Sequence, residues 1–137
     1  MRSESDSRLP EMKKYIGVII EESLEDVSLL RDVKILSTRI SPVKKKHQTP
    51  WLSNWTLHTV EVERGEVEKI AENISRNLDS AHAHSWYADF DDGTEHYIIF
   101  PGRIFRIDMR DQAQYDEAKA YGVSIGIPAH QVDFRAK

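Results

Sequence analysis

Residues 84–108 constrain the fold more tightly than any other stretch. HSWYADFD, EHYIIF and RIFRID are three runs rich in aromatic and β-branched residues, separated by Asp92-Gly93 and Pro101-Gly102. Asp-Gly favours a two-residue turn in which both positions take positive φ, and Pro-Gly suits a tight turn of another type. The stretch therefore predicts a β-meander with strands over His84–Asp91, Glu95–Phe100 and Arg103–Asp108. Side chains alternate along a strand, so Tyr87, Ile98 and Phe105 share one face, and Trp86, Tyr97, Ile99 and Ile104 share the other. Neither face is polar. A sheet that is apolar on both sides has to be covered on both, and the rest of the chain must supply that cover.

Lys14–Glu21 (KYIGVIIE) is nearly all apolar and rich in Ile, which predicts an interior strand. Gly17 within it implies a close approach of a neighbouring backbone or a bulge. Ser23, with Asp26 three residues on, marks the cap of a short helix ending near Asp32. Val33–Ser41 alternates and is ended by Pro42, giving a second strand. From Ser53 the run SNWTLHTVEVE predicts a third. Trp55, Leu57 and Thr59 lie on one of its faces, and Thr56, His58, Val60 and Val62 on the other. Over Arg64–Asp79, Val67, Ile70, Ala71, Ile74 and Leu78 form one helical stripe. Asp111 opens a last helix, with Gln114 in the capping-box position, Tyr115 and Ala118 facing inward, and Gly122 as its stop.

This order predicts an α+β fold, a ferredoxin-like β-α-β-β-α-β core extended by a β-meander and a C-terminal helix. It occupies one domain from residue 13 to residue 137, preceded by a disordered polar tail over residues 1–12. The helices of such a plan leave part of an apolar sheet face bare, which predicts a homodimer packed through its sheets.

Composition narrows the function. With no cysteine there is no disulfide, thiolate metal site or thiol nucleophile. A net charge of −4 with 31 % charged residues, and no Gly-Phe-rich strand, argues against a nucleic-acid surface. The longest apolar run, Tyr15–Ile20, is too short to cross a bilayer, so no membrane partner is expected. The first dozen residues lack the apolar segment of a signal peptide, which makes the cytoplasm the expected location. There is no P-loop, dinucleotide-binding glycine pattern or HExxH, and no cofactor is implied.

Histidines and aromatics on strands carry the functional expectation. A two-residue turn at Asp92-Gly93 would set Asp91 opposite Thr94 and Asp89 directly opposite His96, on the face that holds Tyr87. A carboxylate beside an imidazole is the pairing used in general-base chemistry; the simpler reading is a surface ion pair. His58 is a second candidate for proton transfer, or else a core histidine with a hydrogen bond. His82 and His84 could supply two metal ligands with His58 or His96 as a third, but the simpler reading of the pair is a solvated turn and no metal site. Trp51, Trp55, His58, Tyr87 and His96 are the expected lining of a flat apolar site for a small molecule or peptide. An enzyme using His58 or Asp89 and His96, with or without a metal, is the alternative, and a protein-interaction module is the third reading.

The strings YIGVIIEESLED, TPWLSNWTLHTVEVE, SWYADF, HYIIF and YGVSIGIPAHQVDF resemble a small family of prokaryotic conserved hypothetical proteins. The resemblance covers almost the whole chain after the first dozen residues, and the TPWLS-WTLHTVE run is distinctive. It implies a single-domain cytoplasmic protein of a bacterium or archaeon. It brings no reaction, ligand or site residue with it.

Overall fold

The computed structural model describes residues 14–79 and 85–137. The expected tail over residues 1–12, and the pair His82 and His84, lie outside the described residues. The fold is α+β, built on a six-stranded antiparallel sheet. Its strands are β1 (Tyr15–Ile20), β2 (Lys34–Pro42), β3 (Asn54–Val62), β4 (Ala88–Asp91), β5 (Glu95–Phe100) and β6 (Arg103–Asp108). They lie in the order β2-β3-β1-β4-β5-β6. Helix α1 (Val67–Asn77) follows β3, and α2 (Gln112–Ser124) follows β6.

β1 sits inside the sheet because its apolar run can be buried, and Gly17 is what lets β4 approach. A Cβ at Gly17 would fall 1.8 Å from the Asp89 carbonyl oxygen and 2.5 Å from Phe90 Cα. The glycine therefore marks a close approach rather than a bulge. The bulge in this sheet lies in β2, between Ile35 and Ser37.

Each face has its own core. Under α1, the Val67, Ile70, Ala71 and Ile74 stripe packs on Tyr15, Ile19, Val60, Val62, Phe90 and Tyr97. Under α2, Tyr115 and Ala118 pack on Ile98, Phe100 and Ile107, with Ile127 and Val132 of the C-terminal segment completing the cluster. Ser75 of α1 ties to the end of β5 by donating its hydroxyl to the Phe100 carbonyl at 2.6 Å.

Four expectations are corrected. The short helix after β1 is 3-10 helix over Val27–Asp32, and its cap is Asp26, whose carboxylate accepts from Ser28 N–H; Ser23 instead donates to the Ile20 carbonyl. Gly122 does not stop α2. It lies buried inside the helix, where a Cβ would meet Val132 at 3.0 Å, and the chain leaves the helix at Gly126 with φ 101°. Gln114 does not reach back to the N-cap; its side-chain oxygen accepts from Asp108 N–H at 2.8 Å.

The fourth correction concerns the first hairpin. Asp91 pairs with His96 and Asp89 with Ile98, so the loop is longer than two residues. The Asp92 carboxylate accepts from both Thr94 N–H and Glu95 N–H, an Asx-type turn over the three residues Asp92, Gly93 and Thr94 that join the strands. Arg64 braces that carboxylate at 2.6 Å. Burial raises the Asp92 pKa, but these hydrogen bonds and Arg64 outweigh it and hold the carboxyl below its usual range.

Among the described residues, no helix is long and apolar enough to cross a membrane.

Candidate functional site

The face carrying α2 is covered over only part of its width. Over β5 and β6, Ile98, Phe100 and Ile107 are sealed by α2 and the C-terminal segment. Over β1 and β3 the same face presents Ile16, Val18, Ile20 and Leu57, all of them partly exposed. A cavity of about 320 Å³ lies along this boundary. Val18 and Ile20 of β1 and Leu57 and Trp55 of β3 line it from the open side. Trp86, Tyr87 and Asp89, on the approach to β4 and within it, line it from the other, and Gln131 closes it from the C-terminal turn. The volume is at the small end of the range for small-molecule sites, roughly 300–1,000 Å³.

The aromatic walls are held by packing. Trp55 and Trp86 meet with ring centroids 5.3 Å apart at an interplanar angle of 58°. The Trp55 indole N–H donates to the Thr49 hydroxyl at 3.0 Å. Tyr87 packs edge-on against Phe134, and its hydroxyl donates to the Gln131 carbonyl at 2.7 Å. Burial, and then the nearby Asp89 charge, hold the Tyr87 phenol above its usual pKa, so it stays a neutral donor.

Asp89 brings the charge. Its Oδ2 lies 2.7 Å from His96 Nε2, and His96 Nδ1 lies 2.8 Å from the Tyr115 hydroxyl. Asp89 and His96 are therefore joined as expected by chemistry, but diagonally across β4 and β5 rather than as directly opposed residues. Diagonal neighbours on one face lie within reach of long side chains. Burial, with Asp91 and Asp89 nearby, keeps the Tyr115 phenol protonated above its usual range. A neutral imidazole satisfies the chain when Tyr115 O–H donates to Nδ1 and Nε2–H donates to Asp89. His96 is buried behind the carboxylate. Asp89, not the imidazole, is the group at the cavity, and its Oδ1 has no partner among the described residues. The Nε2 amide group of Gln131 is buried without a hydrogen-bond partner among the described residues.

The five expected lining residues divide among three places. Trp55 and Tyr87 line the cavity, and His96 stands behind it. His58 is on the opposite face of the sheet, paired with Ile19, where Nε2 meets Glu21 at 2.8 Å and Nδ1 meets the Thr38 hydroxyl at 2.9 Å. Trp51 lines a separate recess of about 680 Å³ enclosed by residues 43–52. That recess is the larger, but one loop makes all of it. The smaller cavity draws on β1, β3, β4 and the C-terminal turn, the kind of frame that can hold side chains in fixed positions. Leu57, Val18, Ile20 and Gln131 were not anticipated as lining. Leu57 and Val18 carried the signal of an apolar strand face; Gln131, in an extended tail, carried none.

Among the described residues, no three His, Asp or Glu side chains gather closely enough to hold a metal ion. No family model, curated protein or solved structure matches this chain.

Proposed function

We propose that this domain binds a small molecule in the cavity between Leu57 and Tyr87. The observation that carries this reading is the union of apolar walls with one carboxylate that His96 and Tyr115 hold in place. A few convergent polar groups in an otherwise apolar recess are the usual composition of a ligand site. Trp55, Tyr87 and Asp89 would make contact, with His96 as a positioning residue behind them. Thermal-shift screening of a metabolite library tests it, with Val18→Trp filling the cavity from β1. Ligands should stabilise the natural chain and leave the variant unmoved; equal shifts in both would contradict the site.

One observation favours a second reading, proton transfer by Asp89 backed by His96: the 2.7 Å contact between them. Nitrogen NMR of His96 should then report a strongly hydrogen-bonded Nε2–H, and a freely titrating, solvent-exchanging imidazole would remove the idea.

The same reading places the cytoplasm around a homodimer in which a second copy covers the open half of the sheet face. Its support is apolar surface beside the cavity, where Ile16 is 40 % exposed. Sedimentation showing a monomer at micromolar concentration would count against it. We also read the β2-β3-β1-β4 portion as a ferredoxin-like core whose first crossover helix has shrunk to 3-10 turns, with β5, β6 and α2 as its extension.

A further inference from the structure

We propose that the ligand taken by this cavity is a small organic ammonium, a protonated amine on a compact apolar body. The inference deepens the small-molecule reading and rests on it.

Three properties of the cavity point to that chemistry. The first is charge: Asp89 is the one carboxylate among the described lining residues, which include no Lys or Arg. Its Oδ2 is engaged by His96, which leaves Oδ1 to accept an N–H from a ligand. Apart from His96, which stands behind Asp89, the basic residue that pairs with a lining residue is Arg39, opposite Leu57 on the neighbouring β2, and it is not part of the lining. A carboxylate in an apolar recess whose lining holds no Lys or Arg is complementary to a cation and repels an anionic ligand.

The second property is the nature of the walls. Trp55, Trp86 and Tyr87 supply three aromatic rings, and Trp55 and Trp86 stand tilted to each other at 5.3 Å. Aromatic faces attract ammonium groups through the ring quadrupole, Trp most strongly, and the attraction grows when water is excluded. A carboxylate set among aromatic rings therefore favours an ammonium head twice over, by ion pairing and by the ring faces. The third property is size. At a water's share of liquid volume, roughly 30 Å³, a cavity of about 320 Å³ is equivalent to about ten water molecules, room for a compact ligand. Val18, Ile20 and Leu57 suit its apolar part.

The test uses three probes that share one body and differ in head group: phenethylamine, 2-phenylethanol and phenylacetate, titrated by NMR against the full chain. Phenethylamine should bind at least tenfold more tightly than 2-phenylethanol, with phenylacetate weakest. Asp89→Asn should erase the difference between amine and alcohol, and where that variant does not fold, the three affinities of the natural chain decide alone. Equal binding of amine and alcohol would overturn the ammonium assignment and leave the small-molecule site standing. Absence of binding by all three, or binding that survives Val18→Trp, would overturn both.

Discussion

Over β5 and β6, the sheet face opposite α1 carries Ile98, Phe100 and Ile107, and none is more than 1 % exposed. Over β1 and β3 the same face carries Ile16, Val18, Ile20 and Leu57, and Ile16 remains 40 % exposed. The residues are of one kind; what differs is the cover. Six strands spaced by about 4.8 Å span roughly 24 Å, whereas one helix with its side chains is about 10–12 Å across. α2 can therefore roof about half of the face, and the segment through Val132 and Phe134 extends that roof only as far as Tyr87. The cavity is the place where the roof ends. A site at such a boundary inherits rigid walls from the packed half and an entrance from the open one.

Mutations should separate the two halves and the seam between them. Gly17→Ala acts on the seam and should be the most damaging. Its new Cβ would lie inside the Asp89 carbonyl, forcing β1 from β4 at a cost of roughly 4 kcal/mol or more. Failure to recover folded protein is the expected observation, and a variant of normal stability would mean that the two strands are not so close. Phe100→Ala comes next. It removes a ring that packs on Tyr121 at 5.2 Å and Phe105 at 5.8 Å, and should cost about 3–5 kcal/mol in urea unfolding. Ile16→Ala in the open half should cost about 1 kcal/mol or less. Equal losses would show that the open half is buried after all.

The two buried histidines sharpen the same contrast. His96→Ala strands the Tyr115 hydroxyl, buried under α2, without its partner and should cost about 2 kcal/mol. His58→Ala should cost about half as much, because the Glu21 side chain is 42 % exposed and rehydrates. Chemical unfolding of both variants measures the difference. The smallest effect at neutral pH is that of the tyrosines roofed by the C-terminal half. Burial, with Asp89 beside it, raises the folded-state pKa of Tyr87, and burial, with Asp91 and Asp89, raises that of Tyr115, both from an ordinary value of 10.0. A raised folded-state pKa means that the folded protein holds its proton longer than the unfolded chain. Their contribution to stability is intact below pH 10 and is lost as pH climbs from there toward the raised values. Phenolate absorbance of these two rings should appear together with unfolding, and its appearance in the folded protein would contradict their burial.

Local pattern in the sequence carried the elements and their faces. Alternation places Tyr87, Ile98 and Phe105 on one side and Trp86, Tyr97, Ile99 and Ile104 on the other, and the observed registers of β4–β6 keep Ile98 with Phe105 and Ile99 with Ile104. Loop chemistry was less legible. The Asp92 side chain competes with the backbone for Thr94 and Glu95, so an Asp-Gly signal became a three-residue loop and the Asp89–His96 pair became diagonal. Gly122 looked like a helix stop, yet it is required by the approach of Val132 and Phe100, contacts distant in sequence. The site divided for the same reason. His58 and Trp55 are three residues apart and lie on opposite faces, whereas Leu57 and Gln131 meet only through the tertiary fold.

The most direct test of the boundary site is a methyl-NMR titration of the natural chain with phenethylamine. Shifts confined to the methyl groups of Val18, Ile20 and Leu57, with those of Ile98 and Ile107 unmoved, are the predicted result. Unmoved methyl groups along β1 and β3, or shifts gathered at Val43 and Leu52 in the neighbouring loop recess, would contradict it.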